Sequence, residues 1–331
     1  MNRTELRKSR KRKRLRNLLI GFLIFLFAIG GFSIYYIINT YLALEESYTE
    51  LEREKSEYRE MPVELGRDSF SVLLLGIEDY ASGGKNGRTD VIMVVTFNPE
   101  DKSAKLVSIP RDTLVELYPD KKLGKINAAH VFGGKEGVIE TVEKFLEIPI
   151  DYFAAVDFDG FINIIDILGG VEVEVPFNFT QHSVEGKVYH FQKGRMKLDG
   201  DAALQYVRMR HQDPAGDIGR NARQQEVIKA IVDKVVSLGT ITKIHDIARE
   251  VGQHVETNFK ISQFPKLLNQ FSGFSTANIE QLKIETYSER YNKSSVQIPE
   301  PESLAEVKNI LKQHLGLQDN AASQDVVDDK N

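Results

Sequence analysis

The sequence predicts an α/β fold, a three-layer α-β-α domain around a mixed sheet, preceded by a single N-terminal transmembrane helix. Short apolar runs bounded by Gly, Pro and Asn alternate with stretches of helical spacing between residues 69 and 317. That alternation shows neither an internal repeat nor an internal linker. Upstream, residues 18–38 run 21 positions without a charge, roughly 31 Å as a helix and enough to cross a hydrocarbon core.

Residues 1–17 carry nine Lys or Arg against the single acid Glu5. By the positive-inside rule this tail is cytoplasmic, and everything after Asn39 is extracellular. A cleaved signal peptide would have a shorter apolar core ending at a small-residue site. Ser33-Ile34-Tyr35-Tyr36-Ile37-Ile38 continues without one, so the segment reads as a retained signal anchor in the cell membrane. In residues 39–66, Tyr41, Leu44, Tyr48, Leu51, Lys55 and Tyr58 step by three and four, predicting a helical stalk too short for a coiled coil. Residues 67–317 form the folded domain. Residues 318–331 are polar, acidic and aperiodic and read as a disordered tail.

The first element of the domain is the apolar run Phe70-Ser71-Val72-Leu73-Leu74-Leu75, closed by Gly76, a buried strand. Strands follow at 91–97 and 105–109, separated by the turn signal Asn98-Pro99. Val138, Ile139, Val142 and Phe145 space a helix over 133–146. A strand at 152–156 and an apolar helix at 161–168, stopped by Gly169-Gly170, come next. Val171, Val173 and Val175 alternate with Glu172 and Glu174 as a half-buried strand. Helices over 201–208, 218–238, 241–251 and 304–315 complete the reading, with no chemistry visible beyond 240.

The composition excludes several functions. The chain has a formal net charge of −5, and because the tail contributes +8 the remainder stands at −13. An acidic exterior domain lacks the basic footprint of a nucleic-acid binder. With no cysteine there is no disulfide, thiolate metal site or Cys nucleophile.

Within this acidic domain the 18-residue stretch 206–223 inverts the sign with four arginines, Arg208, Arg210, Arg220 and Arg223. Arg208 and Arg210 share a face if their step is extended and splay apart if it is helical. Pro214 and Gly216 break the chain and Asp217 offers an N-cap. Arg220, Arg223 and Gln224 then fall in the first turns of a helix, where free N–H groups and the dipole favour an anion. Planar guanidiniums at a helix start suit phosphate or pyrophosphate; a solvated helix end paired with Asp213 and Asp217 is the plainer reading.

Three more clusters sit at strand ends, where open sheets place their sites. Gly76-Ile77-Glu78-Asp79 and Gly87-Arg88-Thr89-Asp90 flank a loop. Asp79 and Asp90 can share a hard cation such as Mg²⁺, or Asp90 simply caps a turn and Asp79 is a solvated loop acid. Ser108-Ile109-Pro110-Arg111-Asp112-Thr113 ends the third strand, Pro110 stopping the ladder and projecting Arg111 over the sheet edge. His130 and His211 near these clusters read as ordinary polar contacts.

Taken in order, these pieces resemble the LytR-CpsA-Psr family, enzymes that attach wall teichoic acid and related glycopolymers to peptidoglycan in Gram-positive bacteria. The resemblance also takes in Lys125-Ile126-Asn127-Ala128-Ala129-His130, Asp157-Phe158-Asp159-Gly160-Phe161, the run from Leu198 to Arg210, and Asp217-Ile218-Gly219-Arg220-Asn221-Ala222-Arg223-Gln224-Gln225. It covers roughly residues 69–240. It implies a hydrophobic groove for a polyisoprenyl tail, Mg²⁺ at Asp79 and Asp90, and pyrophosphate held by Arg111, Arg208, Arg210 and Gln224 with Arg88 and Arg220 nearby. The implied reaction moves a glycopolymer from an undecaprenyl-pyrophosphate carrier to a peptidoglycan N-acetylmuramic acid hydroxyl, with Asp79 or Asp90 taking the proton. Where the family commonly has a small polar residue before its first aspartate, this chain has Glu78. A lipid pyrophosphatase and a non-catalytic sensor of lipid-linked intermediates would use the same phosphate-binding parts.

Overall fold

The computed structural model describes residues 47–78, 87–183, 186–237, 252–260 and 274–317, with 247, 263 and 266. The basic segment 1–17, the anchor expected at 18–38, Asp79, the tail expected at 318–331 and most of the helix expected over 241–251 lie outside the described residues. Among the described residues no helix is long and apolar enough to cross a membrane.

The strands are β1 (Phe70–Glu78), β2 (Arg88–Asn98), β3 (Ser103–Ser108), β4 (Leu114–Leu117), β5 (Lys122–Lys125), β6 (Tyr152–Asp157), β7 (Val171–Val175), β8 (Phe179–His182), β9 (Val188–Phe191), β10 (Gly194–Leu198), β11 (Val255–Thr257), β12 (Ile279–Leu282), β13 (Thr286–Tyr291) and β14 (Ser294–Pro299). The helices are α1 (Ala129–Leu146), α2 (Phe158–Ile167), α3 (Gly200–Arg208), α4 (Asp217–Ser237) and α5 (Pro301–His314). Six strands make one mixed sheet in the order β11-β6-β1-β2-β3-β12. β1 runs parallel to β6 and antiparallel to β2, and β2 is antiparallel to β3. The C-terminal ends of β1, β3 and β6 and the start of β2 therefore meet at one edge of the sheet. Four of the motifs read from the sequence are brought together by this topology alone.

Side-chain alternation gives the sheet two working faces. Leu73, Leu75, Ile92, Val94 and Phe153 pack with Val138, Val142 and Leu146 of α1 and Val307 and Leu311 of α5. Each fully buried aliphatic or Phe side chain there contributes about 1.5–3 kcal/mol relative to exposure. The other face, carrying Leu74, Met93, Ala154 and Val156, looks across a cavity at α2, α3 and α4. β7 shows the predicted alternation in full, Val171, Val173 and Val175 buried and Glu172 and Glu174 exposed.

Residues 47–66 overturn the helical stalk: they contain no helix and wrap the domain as an irregular strap. Thr49 N–H donates to Thr257 O and Thr257 N–H to Ser47 O, both at 2.8 Å, so the strap seals the free edge of β11. Arg53 Nη2 reaches Glu143 Oε1 at 2.9 Å, and Arg59 clasps Asp151 through Nε at 2.9 Å and Nη2 at 2.6 Å. Leu65 is buried beside Phe70 and Phe97. Arg53 and Arg59 are ion-pair arms to buried carboxylates of the domain, so the folded unit begins no later than residue 47.

Candidate functional site

Between the sheet and α2–α4 lies a cavity of about 550 Å³. Asp90, Arg111, Arg208, Arg210, Arg220 and Gln224 all line it. Arg88 does not; it is exposed at the start of β2.

Asp90 owes its position to a bulge. β1 and β2 pair Gly76 with Val91 and Ile77 with Thr89, which leaves Asp90 as the extra residue and turns the strand at the cavity rim. Gly76 is needed opposite it, because a Cβ there would lie 2.9 Å from Val91 Cβ. Arg111 follows the end of β3, where Ile109 N–H still pairs with Ile92 O at 2.9 Å and Thr113 N–H closes a turn onto Pro110 O at 2.9 Å. Its Nη1 donates to Asp90 Oδ1 at 2.7 Å.

The Arg208 and Arg210 step is neither wholly helical nor wholly extended. α3 starts on Asp199, whose Oδ1 accepts from Ala202 N–H at 2.8 Å. It ends at Arg208, because Met209 is extended with φ −60° and ψ 131°. That single change of backbone state brings both arginines to the same cavity. Arg208 lies over the Phe158 ring, Cζ 5.0 Å from the centroid, a contact that orients the guanidinium by cation–π attraction.

On α4, Arg220, Gln224, Ile228 and Ile231 step by four, four and three along the face that lines the cavity. A cation and an amide therefore give way to aliphatic side chains over about 16 Å of helix axis. Leu74, Met93, Phe161 and Ile164 extend the apolar part. Among the described residues the lining holds four arginines against the aspartates Asp90 and Asp157, and both acids are engaged. Asp90 meets Arg111; Asp157 caps α2 by accepting from Gly160 N–H at 2.7 Å and faces His254 Nδ1 at 3.0 Å. The surplus charge suits an anion with an apolar tail.

A larger cleft of about 1330 Å³, between residues 57–63 and α1, contains none of these residues. Among the described residues its lining sets Arg59, Lys144 and Lys312 against the acids Glu57, Glu60, Asp68, Glu116 and Glu147, so it has no surplus of positive charge.

Some participants escaped the sequence reading. Phe158 and Asp157 lie in a motif that contributed no expected site residue, and their signal was an aromatic–acid pair at a strand end. Gln225 Nε2 donates to Ser108 Oγ at 2.8 Å, both buried, tying α4 to the strand that carries Arg111. His130 is a polar contact, Nδ1 2.9 Å from Gly87 O, and His211 lies exposed on the cavity lining. For a metal, Asp90 has the oxygen chemistry that Mg²⁺ requires. No cluster of three or more His, Cys, Asp or Glu able to hold an ion occurs among the described residues, so a cation here would draw further ligands from its substrate or from Asp79.

Known proteins resemble this chain in sequence and fold. The family model described as the LytR_cpsA_psr family matches residues 34–313. The Bacillus subtilis (strain 168) protein named polyisoprenyl-teichoic acid–peptidoglycan teichoic acid transferase TagV is 42% identical over 312 residues, covering 92% of this chain and 80% of its own length. The crystal structure of B. subtilis TagV superposes with a TM-score of 0.68, covering 76% of this chain and 99% of that one. TagT solved with bound octaprenyl pyrophosphate lipid superposes with a TM-score of 0.65 at 32% identity, covering 81% of this chain and 100% of that one. This mixed α/β chain belongs to the LytR_cpsA_psr family.

Proposed function

We propose that this chain is a membrane-anchored phosphotransferase. It moves a glycopolymer of the wall teichoic acid class from an undecaprenyl-pyrophosphate carrier to a hydroxyl of peptidoglycan N-acetylmuramic acid. The observation that carries this reading is the single cavity in which Arg111, Arg208, Arg210 and Arg220 line the same space as a long apolar wall. The names of the relatives and the lipid bound to TagT support the same substrate class.

The proposed chemistry assigns these residues as follows. The apolar wall takes the carrier's polyisoprenyl chain and the arginines take its pyrophosphate, with Gln224 adding an amide donor. The acceptor hydroxyl oxygen attacks the phosphorus next to the glycopolymer, and the bond from that phosphorus to the bridging oxygen breaks. Undecaprenyl phosphate leaves carrying the charge, and Arg208 and Arg210 stabilise it as it develops. The hydroxyl proton passes to a carboxylate, Asp90 or Asp79. No nucleotide is required, because the pyrophosphate link supplies the driving force. Asp90 and Asp79 would hold Mg²⁺, which when bound neutralises phosphate charge. Residues 18–38 anchor the chain with residues 1–17 in the cytoplasm and the catalytic domain outside. Eight residues separate that anchor from residue 47 and reach about 26–29 Å when extended, keeping the cavity near its lipid substrate.

The test uses the full chain in detergent with a short-chain carrier-linked glycopolymer, peptidoglycan oligomers and Mg²⁺, with products followed by mass spectrometry. A phosphodiester joining glycopolymer to peptidoglycan establishes the transferase. Released glycopolymer phosphate without a join identifies a pyrophosphatase, and bound, unchanged carrier identifies a sensor. Either of the last two outcomes refutes the proposal.

A further inference from the structure

The arginine-rich stretch contains a fourth member that stays out of the cavity. Arg223 sits on α4 between Arg220 and Gln224, yet its side chain is 3% exposed and its partner Asp213 is 4% exposed. Its guanidinium is fully committed: Nε donates to Tyr206 O at 3.1 Å, Nη2 to Met209 O, and Nη1 to Asp213. The rings of Phe179 and Tyr206 lie 5.9 and 5.8 Å from its Cζ.

Those acceptors have a meaning for the site. Tyr206 O is one of the last carbonyls of α3, which lack intrahelical donors, and Met209 O belongs to the residue that turns the chain from helical to extended. A cation is well suited to a helix C-terminus. Asp213 is held in turn, its Oδ1 accepting from Ala215 N–H at 2.7 Å and its N–H donating to Arg210 O at 3.1 Å. Arg223 thus grips the backbone on both sides of Arg208 and, through the Asp213 carboxylate, the turn that follows Arg210. Gly219 makes room for this, because a Cβ at that position would overlap the Asp213 carboxylate.

We infer that Arg223 is the positioning residue of the arginine clamp: it ends α3 at Arg208 and so sets Arg208 and Arg210 on one cavity, without touching the carrier. This rests on the pyrophosphate-binding reading of that cavity. Asp213 and Gly219 are parts of the same device, and Gly219→Ala disturbs it from a position that does not line the cavity.

The test is calorimetric titration of the full chain in detergent with a polyprenyl pyrophosphate and with the polyprenyl monophosphate of equal chain length. Arg223→Ala and Gly219→Ala are each made in the wild-type background and in an Arg208→Ala/Arg210→Ala background, and each variant's folding is checked by near-UV circular dichroism. The expected result is a loss of pyrophosphate affinity on the order of tenfold or more in the wild-type background, as misplaced charge-assisted contacts give. The same substitutions lose less than about twofold once Arg208 and Arg210 are gone, because their effect acts through those residues. Equal losses in both backgrounds mean general structural damage and overturn the inference, as does unchanged affinity in a folded Gly219→Ala protein. If Arg223→Ala does not fold, Gly219→Ala and Asp213→Asn decide by the same comparison. A wild-type chain that fails to distinguish pyrophosphate from monophosphate overturns the pyrophosphate reading itself, and this inference with it.

Discussion

Replacing Arg59 with alanine separates an integral strap from a passive stalk. The Arg59 side chain is 11% exposed and Asp151 6%. The substitution removes two charge-assisted hydrogen bonds to Asp151 and one, at 2.8 Å, to Ser69 O. Breaking a buried ion pair by removing one partner costs about 3–5 kcal/mol. Here Asp151 keeps the Ser71 N–H at 2.9 Å and its hydroxyl at 3.2 Å, which puts the estimate at the lower end, about 3 kcal/mol. For a domain of this size that is a fall in Tm of roughly 6–12 °C. The assay is thermal unfolding by near-UV circular dichroism on Arg59→Ala, Asp151→Asn and the double variant. The double variant is expected to lose less than the sum of the singles, because the two residues interact directly. A Tm within about 1 °C of wild type for Arg59→Ala, the range of ordinary surface substitutions, would refute the strap. The same geometry implies that a soluble form starting at residue 61 strands Glu143 and Asp151 and unfolds at lower temperature than one starting at residue 39.

Other predictions follow from the site and the core. Arg111→Ala and Arg208→Ala are each expected to lower transfer by about 10²–10³-fold, by analogy with loss of one oxyanion donor, with the circular dichroism spectrum unchanged; retained activity in both would remove the clamp. Ile231→Trp, at the apolar end of the lining on α4, is expected to raise KM for a long-chain carrier while sparing a short-chain one, read by initial rates with the two carriers. His314 is buried with Thr96 Oγ1 at 2.7 Å from Nδ1 and Ser103 Oγ at 2.8 Å from Nε2, and burial holds its pKa below the usual 6.5, with Lys105 adding to the effect. Its neutral form is favoured in the fold, so its stabilisation is complete above about pH 6.5 and is lost as pH falls through the lowered folded pKa. Wild-type Tm should therefore fall between pH 7 and 5 more steeply than that of His314→Gln; parallel profiles would contradict this.

The legible parts of the chain were those whose local pattern and tertiary role agree. β7 alternates because one face is buried and one is wet, and β1, β2, β6 and the helices declare themselves by long apolar or periodic runs. Arg111 and Asp90 were legible because Pro110, Gly76 and Gly87 mark strand ends. Other parts depend on distant partners. β11 and β12 have three and four residues, and in β12 only Leu282 is buried, too short a pattern to register. They nevertheless form the two edges of the main sheet. The strap failed for the opposite reason: Tyr48, Leu51 and Tyr58 fall at helical spacing by chance, while Arg53 and Arg59 find acids about 90 residues away. Arg223 looked like a member of the clamp because charge alone does not reveal burial.

The most direct measurement of the central claim is a crystal structure of the protein with a short polyprenyl pyrophosphate. The prenyl chain is expected against Leu74, Met93, Phe161 and Ile231, with the pyrophosphate within hydrogen-bond distance of Arg111, Arg208, Arg210 and Arg220. A pyrophosphate seated in the cleft between residues 57–63 and α1, or a chain lying outside the cavity, would contradict it.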